Sequence, residues 1–208
     1  MRVYESRMDL LRAVIIGAEG TPYHDGLFFF DVYFPPRYPN EPPVCGWEYF
    51  IWLILFSCSL FLILFRQMGQ FFSWQQVHYH SGGLRLNPNL YKTGYVCLSL
   101  LNTWSGNKNQ KWTPGVSTML QVLVSIQGLI LNAKPYFNEP GYEITSGTID
   151  GEKKALRYNE DKFILSLKTM MYMIRSPPKV CSTLRFISCI SLASLVHFSG
   201  STISFIFF

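Results

Sequence analysis

Charge, paired cysteines and clustered basic residues are all scarce in this 208-residue chain. Charged residues make up 15% of it against 49% hydrophobic, which excludes a disordered, solvating polymer and favours a buried core. The five cysteines, Cys45, Cys58, Cys97, Cys181 and Cys189, are odd in number and include no C-x-x-C pair. With no cysteine/histidine spacing of zinc-site type either, a disulfide framework and a metal module are excluded, and a reducing compartment, cytoplasm or nucleus, is expected. The excess of 18 basic over 13 acidic residues gives +5 without a Lys/Arg cluster or an aromatic-interleaved basic stripe, so nucleic acid is not an expected partner. No repeat with a period of roughly 20–50 residues is present, which removes solenoids and propellers. No secretory leader is expected either, because "MRVYESRMDLLRAVI" is charged throughout.

What is present is a series of short elements. "LLRAVIIG" reads as a strand or a helical turn, and "GAEGTPYHDG", Gly17 to Gly26, as a loop. "LFFFDVYF", Leu27 to Phe34, is aromatic and β-branched with one charge, which predicts a buried strand. "PPRYPNEPP", 35–43, must leave the sheet, since five prolines in nine residues remove backbone donors. "VSTMLQVLVSIQGLIL", 116–131, carries apolar residues at Met119, Leu120, Leu123, Val124, Ile126, Ile130 and Leu131, which predicts a helix lying on the core. A final helix is predicted over Gly151–Arg175.

Two segments differ in composition from the rest. Between Cys45 and Gln76 the only charges are Glu48 and Arg66, and Tyr49–Phe65 is an uncharged run of 17 residues. Phe186–Phe208 is uncharged apart from His197. The first run is at the short edge of the roughly 17–25 residues that a membrane helix needs.

Cys97 lies in "LRLNPNLYKTGYVCLSLLNTW", a polar, turn-rich stretch between apolar runs. By residue type it is either a nucleophile or a small buried thiol. A cysteine-protease arrangement would need a histidine base with an orienting partner, and His78 and His80, alternating on a strand-like stretch, read as structural or surface residues.

The order and spacing of "GTPYHDGLFFFDVYFPPRYPNEPP", "LNPNLYKTGYVCLSLL", "KWTPGVSTMLQVLVSIQGLI" and "KPYFNEPGYE" resemble the ubiquitin-conjugating enzymes, nearest the large conjugating/ligase hybrids and their plant relatives. The resemblance covers a core of 1–43 and 77–179. In that family a His-Pro-Asn tripeptide precedes the active cysteine by eight residues, and Asn87-Pro88-Asn89 stands in that place here, eight residues from Asn89 to Cys97. Asn87 replaces the usual histidine, which we read as a structural hydrogen-bonder that an asparagine can replace.

The resemblance implies an α+β fold, with an antiparallel meander sheet and flanking helices. It implies a thioester nucleophile at Cys97 and an oxyanion donor at Asn89, with Asn87 and Pro88 structural beside them. The 35–43 loop and Trp112-Thr113-Pro114 would face a ligase, with Asn40, Trp112 and Pro114 the named positions. The partners implied are ubiquitin, its activating enzyme, a ligase and protein substrates; the chain itself needs no cofactor, since the separate activating enzyme consumes the ATP. The family also carries an N-terminal helix ahead of the strand that "VYESRMDLLRAVI" resembles, so charging by the activating enzyme is expected to be poor.

The 44–76 segment interrupts the resemblance where the family runs directly from one strand region to the next. A membrane span there would have to leave and re-enter one small domain. A second account covers both apolar segments. Each opens with Val-Cys, whose codons can be written as a common intron start, and thymine-rich introns translate into the Phe, Leu, Ile, Ser, Cys and Trp abundant here. On that account 44–76 is a retained intron and 180–208 an unspliced read-through. The two functional alternatives are a catalytically impaired binding module of the same fold and a protein anchored in a membrane through 49–65 or 186–208.

Overall fold

The computed structural model describes residues 9–43, 77–104 and 106–176, together with a short strand at 205–207. The readings made for 44–76, for the helix ahead of the first strand and for most of 180–208 lie outside the described residues.

The sheet begins with an antiparallel hairpin of β1, Leu10–Ile16, and β2, Leu27–Tyr33, in register from Leu10 opposite Tyr33 to Ile16 opposite Leu27. The ambiguous "LLRAVIIG" is thus a strand, and tertiary pairing with the aromatic β2 is what decides it. The 17–26 loop closes through Gly17 N–H to Gly26 O at 2.9 Å, and a Cβ on Gly17 would lie 1.8 Å from Tyr23 O. Only glycine lets the chain turn that closely over Tyr23. Next to β2 lies β3, Val77–Tyr79, also antiparallel, and β4, Phe205–Phe207, from the apolar tail, pairs antiparallel with the other edge of β1. The order is β3-β2-β1-β4. Among the described residues no helix is long and apolar enough to cross a membrane.

Strand alternation sorts the side chains onto two faces. Leu11, Ala13, Ile15, Phe28, Phe30, Val32, Val77 and Tyr79 enter the main core, while Val14, Ile16, Leu27 and Phe29 meet Met173 on the opposite side. Both faces are covered, which explains why the strands read as almost continuous apolar runs. The exception is a charged row across the second face, where Arg12, Asp31 and His78 are opposite one another. Arg12 binds Asp31 through Nε–Oδ1 at 2.5 Å and Nη2–Oδ2 at 2.6 Å, and His80 Nε2 reaches the same carboxylate at 2.8 Å. A buried charge survives only when paired in this way.

Two helices follow. The first, α1, spans Met119–Ser125; Thr118 accepts from Gln121 N–H at 3.3 Å while Gln121 Oε1 accepts from Thr118 N–H at 2.8 Å, a reciprocal cap. It widens into a π-type turn over Ile126–Ile130. Its buried face is Met119, Val122, Leu123, Ile126 and Ile130, with Leu131 behind it, so the expected core stripe holds at Met119, Leu123, Ile126, Ile130 and Leu131 and needs correcting at Val116, Leu120 and Val124, which are exposed at 66%, 56% and 41%. Val122 is buried in their stead, and since all four are apolar, residue type alone does not choose among them. The second helix, α2, spans Ile149–Arg175, starting two residues before the predicted Gly151 because Thr148 Oγ1 accepts from Gly151 N–H at 3.1 Å. Asp150 and Glu152 in its first turn and Arg175 in its last complement the helix dipole.

Candidate functional site

Cys97 sits in an irregular loop pinned to the sheet at both ends. Asn87, fully buried, does the first pinning: its amide nitrogen donates to Tyr23 Oη at 2.9 Å and to Ile130 O at 2.7 Å, and its Oδ1 accepts from Asn89 N–H at 2.8 Å. One asparagine thereby ties the hairpin loop, the turn after α1 and the Asn87–Asn89 turn together. Its carbonyl accepts from Leu90 N–H at 3.1 Å, closing the turn around buried Pro88. A second turn, Tyr91–Gly94, anchors to β3 through Tyr79 N–H to Gly94 O at 2.8 Å. Gly94 has φ +87 and faces His78, whose Cε1 would lie 2.1 Å from an added Cβ.

The chain then returns past Asn89. Cys97 N–H donates to Asn89 O at 2.9 Å, and Asn89 Nδ2 donates to Cys97 O at 2.9 Å. The structure therefore brings Asn89 and Cys97 together, with the amide held by the cysteine's carbonyl rather than by its sulfur. An amide nitrogen carries two hydrogens, and this bond uses one.

The Cys97 thiol is 3% exposed as a residue and donates to Thr103 O at 3.3 Å. Burial pushes its pKa up to about 11, so the resting group is a thiol rather than a thiolate. His80 is engaged with Asp31, as described above, and does not serve the sulfur as a base. Among the described residues no group of three or more His, Cys, Asp or Glu lies close enough to hold a metal ion.

The two loops expected to face a partner do lie side by side. Trp112 Nε1 donates to Pro39 O at 2.8 Å, and the Trp112 ring packs against Tyr38 at 5.8 Å between centroids. Trp112 itself is 7% exposed, so it joins the loops from beneath, while Asn40 and Pro114 are on the surface. Thr103, which touches the cysteine's backbone neighbours, was not singled out from the sequence. A lone threonine in "NTWSGNKNQ" carries no signal that marks it.

The family profile described as "Ubiquitin-conjugating enzyme" matches residues 1–58 and 75–143. The "Probable ubiquitin-conjugating enzyme E2 25" of Arabidopsis thaliana is 60% identical over 179 residues, which is 86% of this chain and 24% of that protein. The "Putative ubiquitin-conjugating enzyme E2 38" of the same plant is 56% identical over 179 residues, covering 86% of this chain and 45% of its own length. The human "Dual E2 ubiquitin-conjugating enzyme/E3 ubiquitin-protein ligase BIRC6" is 41% identical over 180 residues, 85% of this chain and 3% of that protein. The chain thus spans less than half the length of each of these relatives.

Proposed function

Since this chain belongs to the ubiquitin-conjugating enzyme family, we propose that it carries ubiquitin as a thioester on Cys97 and delivers it to a lysine of a protein substrate. The observation that carries the reading is the reciprocal pair of 2.9 Å hydrogen bonds between Asn89 and Cys97. In the charging step the Cys97 sulfur attacks the thioester carbonyl held by the activating enzyme. A new C–S bond forms, the old one breaks, and the proton from Cys97 ends on the departing thiol. In the discharge step a lysine amine attacks the same carbonyl, and Cys97 leaves as the thiolate and recovers a proton from the amine. Cysteine suits both halves, as nucleophile and as leaving group.

Asn89 supplies the donor for the second half, its amide turning from Cys97 O towards the oxyanion that forms beside Cys97. Pro88 and Asn87 set its position. The exposed edge made by Asn40 and Pro114, held by Trp112 beneath, is the surface offered to a ligase. The reading needs no cofactor on this chain, because the activating enzyme spends the ATP, and it places the protein in cytoplasm or nucleus.

A second reading draws on the 3% exposure of Cys97: a binding module of the same fold that does not charge. Incubation with ubiquitin, activating enzyme and ATP separates the two on a non-reducing gel. The carrier reading expects a ubiquitin adduct that reductant removes; absence of any adduct leaves the binding module.

A further inference from the structure

Extended backbone presents the N–H and C=O of one residue to one side and those of its two neighbours to the other. At Val96–Leu98 the first side belongs to Asn89, which takes both backbone groups of Cys97. The second side belongs to Thr103. Its Oγ1 accepts from Leu98 N–H at 2.8 Å and offers its single hydrogen to Val96 O at 2.9 Å or Leu98 O at 3.1 Å. The hydroxyl therefore stands in for a neighbouring strand at Leu98 N–H and Val96 O, while Leu98 O also takes Leu101 N–H at 2.9 Å and Thr103 N–H at 3.3 Å, and the short helical turn Ser99–Leu101 with Asn102 at φ 57 folds the chain back to place it there. The carbonyl of the same residue accepts from the Cys97 thiol at 3.3 Å and from Tyr95 Oη–H at 3.3 Å.

We propose that Thr103 is a positioning residue for Cys97: its hydroxyl grips the backbone on both sides of the cysteine opposite the grip of Asn89, and its carbonyl aims the sulfur. The proposal deepens the acyl-carrier reading and rests on it. Thr103 touches neither substrate nor oxyanion. It acts by fixing the direction in which the Cys97 sulfur points and by sharing one acceptor between that sulfur and Tyr95.

The test uses the full chain and reads alkylation of the Cys97 peptide by iodoacetamide across pH, which needs neither ubiquitin nor activating enzyme. Thr103→Val removes the hydroxyl at similar volume, so the carbonyl is released, the protonated thiol loses its acceptor, and the profile moves down by about half a pH unit or more. Discharge of charged protein to free lysine slows about tenfold as the sulfur loses its fixed aim. Thr103→Ser keeps the hydroxyl and restores both. A Thr103→Val profile that overlays the parent, or a Thr103→Ser profile displaced as far as that of Thr103→Val, overturns the proposal. Should Thr103→Val fail to fold, Tyr95→Phe decides: with its competitor gone the carbonyl serves the thiol alone, and the profile moves up, whereas an unmoved profile overturns the assignment. A parent chain that never charges refutes the acyl-carrier reading, and the alkylation profiles still judge Thr103 separately.

Discussion

Asn89 and Cys97 close on each other through two bonds of 2.9 Å, carbonyl to N–H in one direction and side-chain amide to carbonyl in the other. The amide that orders the loop at rest is thus the same one that would face the oxyanion during transfer. This double use gives Asn89→Ala a specific signature. Losing an oxyanion donor costs about 10²–10³ in rate, so lysine discharge in single turnover should fall by that much while thioester formation falls far less. Equal losses in both steps would reduce Asn89 to a loop former.

The buried thiol makes a second prediction. With its pKa pushed up to about 11, the Cys97 thiolate fraction grows about tenfold per pH unit well past the ordinary thiol range. Alkylation of the Cys97 peptide should still be rising between about pH 8 and pH 10. A plateau near pH 8.5, the ordinary cysteine value, would show a solvated thiol instead.

Acid stability should be shaped by the charged row of the sheet. Burial, followed by the neighbouring His80, holds His78 down at about 4, with Asp31 opposing and Arg12 adding to the effect. Between about 4 and the ordinary 6.5 the unfolded chain binds a proton that the folded chain refuses, so stability falls as pH drops through that window, by up to about 3 kcal/mol. Asp31 is subject to burial, which raises its pKa, but its bonds to Arg12 and His80 outweigh that and hold it well below the usual carboxylate range. A depressed acid stabilises above its unfolded value and loses that contribution below it, so Asp31 extends the decline beneath about pH 4. Urea midpoints across pH check this; His78→Gln should flatten the upper window and leave the lower one.

Trp112 should matter to stability before it matters to any partner. Trp112→Phe keeps most of the packing on Tyr38 but loses the indole bond to Pro39 O at 2.8 Å, for about 0.5–1.5 kcal/mol. Trp112→Ala empties a buried ring site and should cost about 3–5 kcal/mol in denaturant unfolding. Asn40→Ala, at an exposed position, should leave the unfolding midpoint within about 0.5 kcal/mol of the parent while altering the choice of ligase in a ubiquitin-chain assay.

The strand β2, the proline-rich exit from the sheet and the final helix were legible in the sequence because each has one strong local cause, whereas β1 was decided only by its pairing with β2. β2 is a run of aromatics broken by one aspartate, and that aspartate proved to be the partner of Arg12. The pairing of Asn89 with Cys97 was legible through spacing and family resemblance, not through any local propensity. The face that α1 buries was legible at Met119, Leu123, Ile126, Ile130 and Leu131 but not at its margin, since Leu120 and Val124, which are exposed, are as apolar as Val122, which is buried. Thr103 was hidden for a different reason. Its role depends on a chain reversal that brings it back onto residues five to seven positions earlier, and nothing in its type or neighbours announces that contact.

The most direct measurement is charging of Cys97→Ser beside the parent chain, with ubiquitin, activating enzyme and ATP. The account predicts a reductant-sensitive adduct on the parent and, on Cys97→Ser, either none or a reductant-resistant oxyester that alkali cleaves. A reductant-sensitive adduct that persists undiminished on Cys97→Ser would place the acyl group on another of the five cysteines and contradict the account.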